Sequence, residues 1–301
     1  MDLDIGFRGG DGLRIAGLLA TPAGQRAVPG VVFVGGSGPS DRDNDGFFVP
    51  LREHLRRDGI AVLSYDKRGV GGSDGRWETA TLDELAADAS ASLTWLRHQP
   101  RVDPGRVSMF GHSEGGWVAL RACLAAESPA RVVLNSCPGV SFLDSEVFAL
   151  EAAGTSAAEA AQAGSLLREL AEMADAGQGL NAGRDRIAAA RGQTWLDRLE
   201  AVGFDLNEVL WSQLRAWGTY DPGPDLTRCT APTVALFGAD DPLVPVQASI
   251  DAYDRTAILA GRDHVNRVFP QAGHRMAASD SGEMVPGYLG YLSRSVSMGP
   301  G

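Results

Sequence analysis

Apolar and polar positions alternate along this chain in two rhythms. Short runs rich in Val, Ile, Leu and Phe recur at RIAGLLA (14–20), VVFV (31–34), IAVLSY (60–65), RVSMF (106–110), RVVLN (131–135), TVALF (233–237) and VNRVF (265–269). Unbroken apolar runs of that length read as strands buried on both faces. Between most of them apolar residues fall three and four apart, as over Leu51–Arg57, Leu82–Arg97 and Trp117–Ala126, the period of a helix with one covered face. Strand, helix, strand in repetition predicts an α/β fold with a mostly parallel, doubly wound sheet. The turn-like GGDG at 9–12 separates the first two strands, so an antiparallel hairpin is expected at one edge.

One interval breaks the rhythm. The stretch between RVVLN and TVALF is far longer than one crossover helix requires. It is rich in Ala, Glu and Leu, turns at GQGLNAG, resumes as DRIAAARGQTWLDRLEAVGF and DLNEVLWSQLRAWGTYDPGPD, and returns through Pro and Gly at 222–224. The expected organisation is a core domain of residues 1–140 and 225–301, interrupted by a lid of three or four helices over 141–224.

Composition narrows the class of protein. An apolar share of 44% beside 22% charged residues is an ordinary globular balance. A net charge of −11 with no offsetting run of Lys or Arg argues against nucleic acid as a partner. The N-terminal MDLDIGFRGGDG is acidic where a secretory leader would be basic, and no apolar run approaches membrane-spanning length. A cytoplasmic protein without a membrane partner is expected. Cys123, Cys137 and Cys229 lack CxxC spacing, so neither a disulfide framework nor a zinc site is indicated.

The stretch VSMFGHSEGGWVALRA (107–122) places a polar Gly-His-Ser-Glu-Gly-Gly knot between a strand-like and a helix-like run. A sharp turn of that kind lifts a serine above the strand ends, with glycines relieving the crowding on either side. Gly71-Gly72-Ser73-Asp74-Gly75 matches the same pattern but lacks the strand before it and the helix after it, so Ser73 is assigned to a loop and Ser113 to the nucleophile. A serine hydroxyl needs a base, a group to orient the base, and donors for an oxyanion.

Five histidines are available for the base. His54 and His98 lie in helix-like segments, His112 lies inside the turn with its side chain expected to point away from the serine, and His264 precedes the last strand at its wrong end. His274, in FPQAGH after that strand, falls at the carboxyl edge, where doubly wound sheets gather ligands. The orienting acid should follow the preceding strand. TVALFGADDPLVP offers Asp240 and Asp241 there, with Asp241 favoured because Pro242 and Pro245 would lock the turn around it, and Asp144 as a third candidate.

Oxyanion donors are expected from the backbone N–H of Glu114 and from the loop GGSGPSDRDND (35–45), with Ser37 preferred and Gly36 the alternative. A Gly-rich loop can cradle phosphate instead, but neither GxGxxG nor GxxxxGK[ST] is present here. The lid aromatics Trp195, Phe204, Trp211, Trp217 and Tyr220 are candidates for the pocket wall, against a competing role as the lid's own core.

Taken together, these segments resemble the α/β-hydrolase superfamily. GHSEGG is similar to its nucleophile elbow, SYDKRGVGGSD to its D-x-R-G-x-G-x-S loop, GADDPLVP to its acid turn and PQAGH to its histidine loop. VVFVGGSGPSDRDND is similar to the oxyanion loop of a bacterial carboxylesterase and serine-aminopeptidase-like branch, with Gly35 where many relatives have histidine. The resemblance implies hydrolysis of an ester, thioester or amide of a small-molecule acyl substrate through an acyl-enzyme on Ser113, with no metal and no organic cofactor. A homodimer is compatible with it. An ester of a small to medium, largely apolar acid is the leading expectation. The competing ones are an aminopeptidase or amidase with an amine site on lid acids such as Glu146 or Glu151, an acyltransferase or cyclase, and a ligand-binding receptor on a hydrolase scaffold.

Overall fold

The computed structural model describes residues 2–125, 127–201 and 204–297. Met1 and 298–301, both within the expected core domain, Ala126 at the end of an expected helix, and Val202 and Gly203 inside the expected lid lie outside the described residues. In chain order the elements are β1 (Asp2–Arg8), β2 (Arg14–Ala20), β3 (Val28–Val34), α1 (Phe48–Arg57), β4 (Ala61–Tyr65), α2 (Leu82–Arg97), β5 (Val102–His112), α3 (Glu114–Ala122) and β6 (Val132–Asn135). There follow α4 (Phe142–Ala152), α5 (Ala157–Asp175), α6 (Leu180–Ala189), α7 (Thr194–Ala201), α8 (Glu208–Trp217), α9 (Gly223–Arg228), β7 (Thr233–Gly238), α10 (Val246–Ala260), β8 (His264–Phe269) and α11 (Tyr288–Ser297).

The strands form one eight-stranded sheet in the order β1-β2-β4-β3-β5-β6-β7-β8. β1 and β2 pair antiparallel, β2 pairs antiparallel with β4, and every later pair is parallel. This is the α/β-hydrolase architecture with its antiparallel hairpin at one edge.

Alternation along the strands explains the two-sided cover. Val32 and Val34 of β3 join one apolar cluster with Leu93 of α2, Leu120 of α3 and Tyr253 of α10. Val31 and Phe33, one residue out of step, join the opposite cluster with Leu51 of α1 and Leu292 of α11. Successive side chains of a strand face opposite ways, so a strand buried on both faces reads as an unbroken apolar run. The helices carry local start and stop signals. Thr81 and Glu84 form a capping box at the start of α2, and α10 ends at Gly261 in the left-handed region, φ 62°.

The inserted stretch is a helical layer of its own. α4 to α8 enclose a separate apolar cluster that includes Leu150, Leu166, Leu170, Trp195, Leu199, Trp211 and Leu214. The five helices exceed the three or four expected, because the alanine-rich stretch breaks at Gly154, which has a positive φ of 93°. α9 straddles the expected boundary at 224, and Leu226 is fully buried in the core cluster rather than in the lid cluster. All three cysteines are free and buried, with Cys123 Sγ and Cys229 Sγ 2.7 Å apart. Among the described residues no helix is long and apolar enough to cross a membrane.

Candidate active site

The turn between β5 and α3 holds Ser113 at φ 55° and ψ −127°, a region costly for a residue with a Cβ, by about 1–3 kcal/mol. The surrounding glycines make that geometry fit. A Cβ on Gly111 would lie 2.2 Å from the Gly115 carbonyl oxygen, and one on Gly115 would lie 2.4 and 2.5 Å from the carbonyl oxygens of Val34 and Gly35. One on Gly116 would lie 2.5 Å from the Cys137 side chain. Helix α3 therefore starts pressed against the ends of β3, β5 and β6. The Ser113 N–H donates to the Asn135 carbonyl at 2.9 Å, which anchors the turn to β6.

The acid turn after β7 and the histidine loop after β8 are joined by main-chain contacts. Ala239 N–H donates to Phe269 O and Asp240 N–H to Ala272 O, both at 2.9 Å. A Cβ on Gly238 would sit 2.3 Å from Ala272 O, so glycine lets the two loops touch. Within the turn, Asp241 Oδ1 accepts from the N–H of Leu243 at 2.9 Å and of Val244 at 3.2 Å. That aims Oδ2 at His274 Nδ1, 2.9 Å away. Asp241 has no side-chain exposure. Asp240 is exposed, and Asp144 is taken up by the cap of α4 with Ser141.

Ser113, His274, Gly36, Ser37 and Glu114 line a single cavity of about 380 Å³. Among the described residues the N–H groups of Ser37 and Glu114 have no acceptor within the protein, whereas Gly36 N–H donates to Asn44 Oδ1 at 3.3 Å. Of the two loop donors read from the sequence, Ser37 is the one left open. The buried Lys67 crosses beneath the site: its Nζ donates to Gly36 O at 2.6 Å and to Glu114 Oε1 at 3.0 Å. It thereby fastens the 35–45 loop to the first turn of α3.

The D-x-R-G-x-G-x-S loop braces the same region. Asp66 accepts from Arg42 Nε at 2.9 Å and Nη2 at 2.7 Å, and from the N–H groups of Arg42 and Gly72, each at 2.9 Å. Burial alone would raise the Asp66 carboxyl, and these hydrogen bonds more than offset it, holding it below the ordinary carboxylate range. Ser73 donates to Asp66 O at 2.7 Å and accepts from Ala16 N–H at 2.9 Å, a loop brace away from the cavity.

His112 departs from the expectation that it points away. It lines the cavity, and its ring centroid lies 4.9 Å from that of His274. Its Nδ1 meets the Asn135 side-chain amide at 3.1 Å, while Asn135 Oδ1 accepts from Tyr288 Oη at 2.8 Å. Burial pushes the His112 imidazole well below its ordinary range, helped by the nearby charges of His274 and Arg275. The strand end carries the ring toward the histidine loop because Phe47, 4.7 Å from it, closes the other side. Among the other histidines, His54 is in α1, His98 caps α2, and His264 opens β8 with Nδ1 at 2.6 Å from Thr233 Oγ1.

The lid aromatics divide between the two roles that the sequence left open. Trp195 and Trp211 belong to the lid's own core, and Trp211 packs so closely on Gly183 that a Cβ there would be 2.5 Å from its ring. Trp217 stacks edge-on against Phe142 at 4.9 Å, and Tyr220 against Trp117 at 5.4 Å. Of the five, Phe204 lines a second cavity, inside the lid, and none lines the cavity beside Ser113. An isolated helical layer must first bury its own large side chains, and that requirement claims the tryptophans. The walls of the cavity beside Ser113 come instead from Trp117, Pro138, Phe142, Ala149 and Leu243. Of the two lid acids, Glu146 lines the cavity and Glu151 is exposed. Among the described residues no cluster of three or more His, Cys, Asp or Glu is placed to hold a metal ion.

The sequence profile of the X-Pro dipeptidyl-peptidase (S15) family matches residues 11–274, a span that takes in Ser113, Asp241 and His274. The chain belongs to that family. It is 36% identical over 126 residues to an uncharacterized protein of Mycobacterium tuberculosis, covering 42% of each chain. It is 32% identical over 120 residues to a polyketide transferase of a Penicillium species, covering 40% of this chain and 39% of that one. The chain thus spans under half the length of these relatives. In three dimensions it is similar to an esterase of Pyrococcus furiosus, with a TM-score of 0.65 at 18% identity, covering 100% of this chain and 92% of the other.

Proposed function

We propose that the protein is a serine hydrolase that cleaves carboxylic esters, thioesters included, of small to medium and largely apolar acyl groups through an acyl-enzyme. The observation that carries this reading is the 2.9 Å contact between His274 Nδ1 and the buried Asp241, on the same cavity as a serine held at a strained turn. In this reading His274 removes the proton from Ser113 as its oxygen attacks the carbonyl carbon. Asp241 fixes the imidazole tautomer and stabilises the imidazolium that forms. The N–H groups of Ser37 and Glu114 receive the oxyanion, each worth about 3 kcal/mol in the transition state. His274 then returns the proton to the leaving alcohol, and water repeats the sequence to release the acid. Three free, buried thiols suit a reducing compartment, in keeping with a cytoplasmic setting.

Acyl transfer to an alcohol or amine is the second reading, favoured by the similarity to a polyketide transferase and by a cavity partly roofed by the lid, where excluding water would let another nucleophile resolve the acyl-enzyme. Family membership and the Glu146 carboxyl on the cavity wall favour the third, cleavage of an amide next to a free amine.

The deciding experiment is pre-steady-state hydrolysis of a nitrophenyl ester. A burst of nitrophenol stoichiometric with protein, abolished in Ser113→Ala, is expected. Equal steady-state activity in that variant would overturn the reading.

A further inference from the structure

A second cavity of about 570 Å³ lies inside the lid, between α4, α5, α7 and α8. It shares Phe142, Glu146, Ala149 and Leu243 with the catalytic cavity, so the two meet at a neck on one face of α4. Beyond the neck the walls are mainly apolar, with Leu167, Leu199, Leu210 and Leu214 among them, interrupted by the polar Asn207 and Gln213. Both cavities fall in the size range of small-molecule sites. The lid chamber is bordered by two carboxylates, Glu146 and Asp205, and by no cationic side chain. Arg275, on the catalytic side, is paired with Asp45 at 2.8 Å.

Glu146 is the notable residue at the neck. Among the described residues its carboxyl has no hydrogen-bond or ion-pair partner, and burial raises its pKa. A group that contributes neither packing to the lid core nor a salt bridge is placed to act on what passes through the neck.

Resting on the serine-hydrolase reading, we propose that the lid chamber holds the apolar arm of the ester, an uncharged chain of about six or more carbons, and that Glu146 makes the neck refuse arms carrying an anion. The chain leaves the reacting carbonyl at Ser113, passes between Phe142, Ala149 and Leu243, and ends among the leucines of α5 and α8. Each methylene moved from water into that chamber favours binding, so preference should climb with chain length until the chamber is filled. An anionic arm would meet the Glu146 carboxyl at the neck with no cation there to compensate it, which disfavours it.

The test compares three series on the full chain: nitrophenyl esters of straight-chain acids from acetate to decanoate, alkyl acetates of matching length, and nitrophenyl half-esters of dicarboxylic acids. The expected result is a rise in kcat/KM of about ten-fold or more from acetate to octanoate, with dicarboxylic half-esters poor. Leu210→Trp, at the half-buried chamber wall, should reduce the octanoate-to-acetate ratio about ten-fold, and Glu146→Gln should raise activity on the half-esters about ten-fold relative to octanoate. A dependence on alcohol length rather than acid length would assign the chamber to the leaving group and overturn an acyl pocket. A flat wild-type profile in both series, or ratios unmoved by both variants, would overturn the chamber's role altogether. Absence of any ester hydrolysis would instead sink the hydrolase reading on which the inference rests, so the two failures are separable.

Discussion

Lys67, in the loop after β4, and Glu114, in the first turn of α3, form a 3.0 Å ion pair directly under the serine turn, and the same ammonium holds the Gly36 carbonyl. Both side chains are nearly sealed from solvent. Breaking such a pair from one side leaves a buried charge unmatched, which costs about 3–5 kcal/mol. Lys67→Met should therefore lower the urea midpoint and reduce kcat on a short ester about ten-fold, because the Ser37 and Glu114 N–H groups lose their common brace. Lys67→Met combined with Glu114→Gln should recover part of the stability. Simple additivity in this double-mutant cycle would show that the pair has no structural coupling.

Asp241 and Asp240 are adjacent in sequence but differ in placement, one buried against His274 and the other exposed. Asp241→Asn is expected to reduce kcat by roughly 10⁴-fold, since the asparagine no longer favours the productive imidazole tautomer. Asp240→Asn should stay within about two-fold, as surface substitutions usually do. Parallel kinetics of the two variants check this, and equal losses would move the orienting role elsewhere.

Gly115 meets two carbonyl oxygens at distances no Cβ can occupy. Gly115→Ala must push α3 away from β3, with an expected loss of about 1–3 kcal/mol in chemical denaturation and a matching fall in activity as Ser113 shifts. A variant of wild-type stability would mean that the elbow is looser than these contacts require.

Acidification should weaken the fold through buried histidines. His112 and His264 are both pushed below their ordinary range, chiefly by burial. The unfolded chain therefore takes up protons that the folded one refuses. The contribution of these two histidines should be constant above the ordinary histidine range and fall as pH drops through it, with a slope of up to about 1.4 kcal/mol per pH unit for each such proton. Asp66, held low by Arg42, adds a further loss only at still lower pH, as its folded-state titration is reached. Urea titrations at several pH values measure the slope, and His112→Gln should make it shallower. An unchanged slope in that variant would remove His112 from the account.

Much of this was legible in the sequence because the signals are local. The apolar runs at 31–34 and 233–237 are strands because their neighbours on both faces are apolar, and the glycines of GHSEGG mark a turn whatever surrounds it. Asp241 is favoured over Asp240 by the prolines that follow it, and in the folded turn the Leu243 and Val244 N–H groups secure it. The less legible features depend on long-range packing. Trp195 and Trp211 carry a helical period that fits either a pocket wall or a lid core, and the choice depends on α5 and Gly183 lying opposite them. His112 faces the cavity because Phe47 and Asn135 fix its ring, a relation between three separated segments. The Lys67 brace had a weak trace in sequence, opposite charges inside two Gly-rich motifs, but nothing local says that the two motifs meet.

The most direct measurement is intact-protein and peptide mass analysis after treatment with a fluorophosphonate. The account predicts one adduct per chain, on Ser113, formed rapidly in the native protein, lost in Ser113→Ala and strongly slowed in His274→Ala. No adduct in the native protein, or an adduct on Ser73 or another serine that persists in Ser113→Ala, would contradict it.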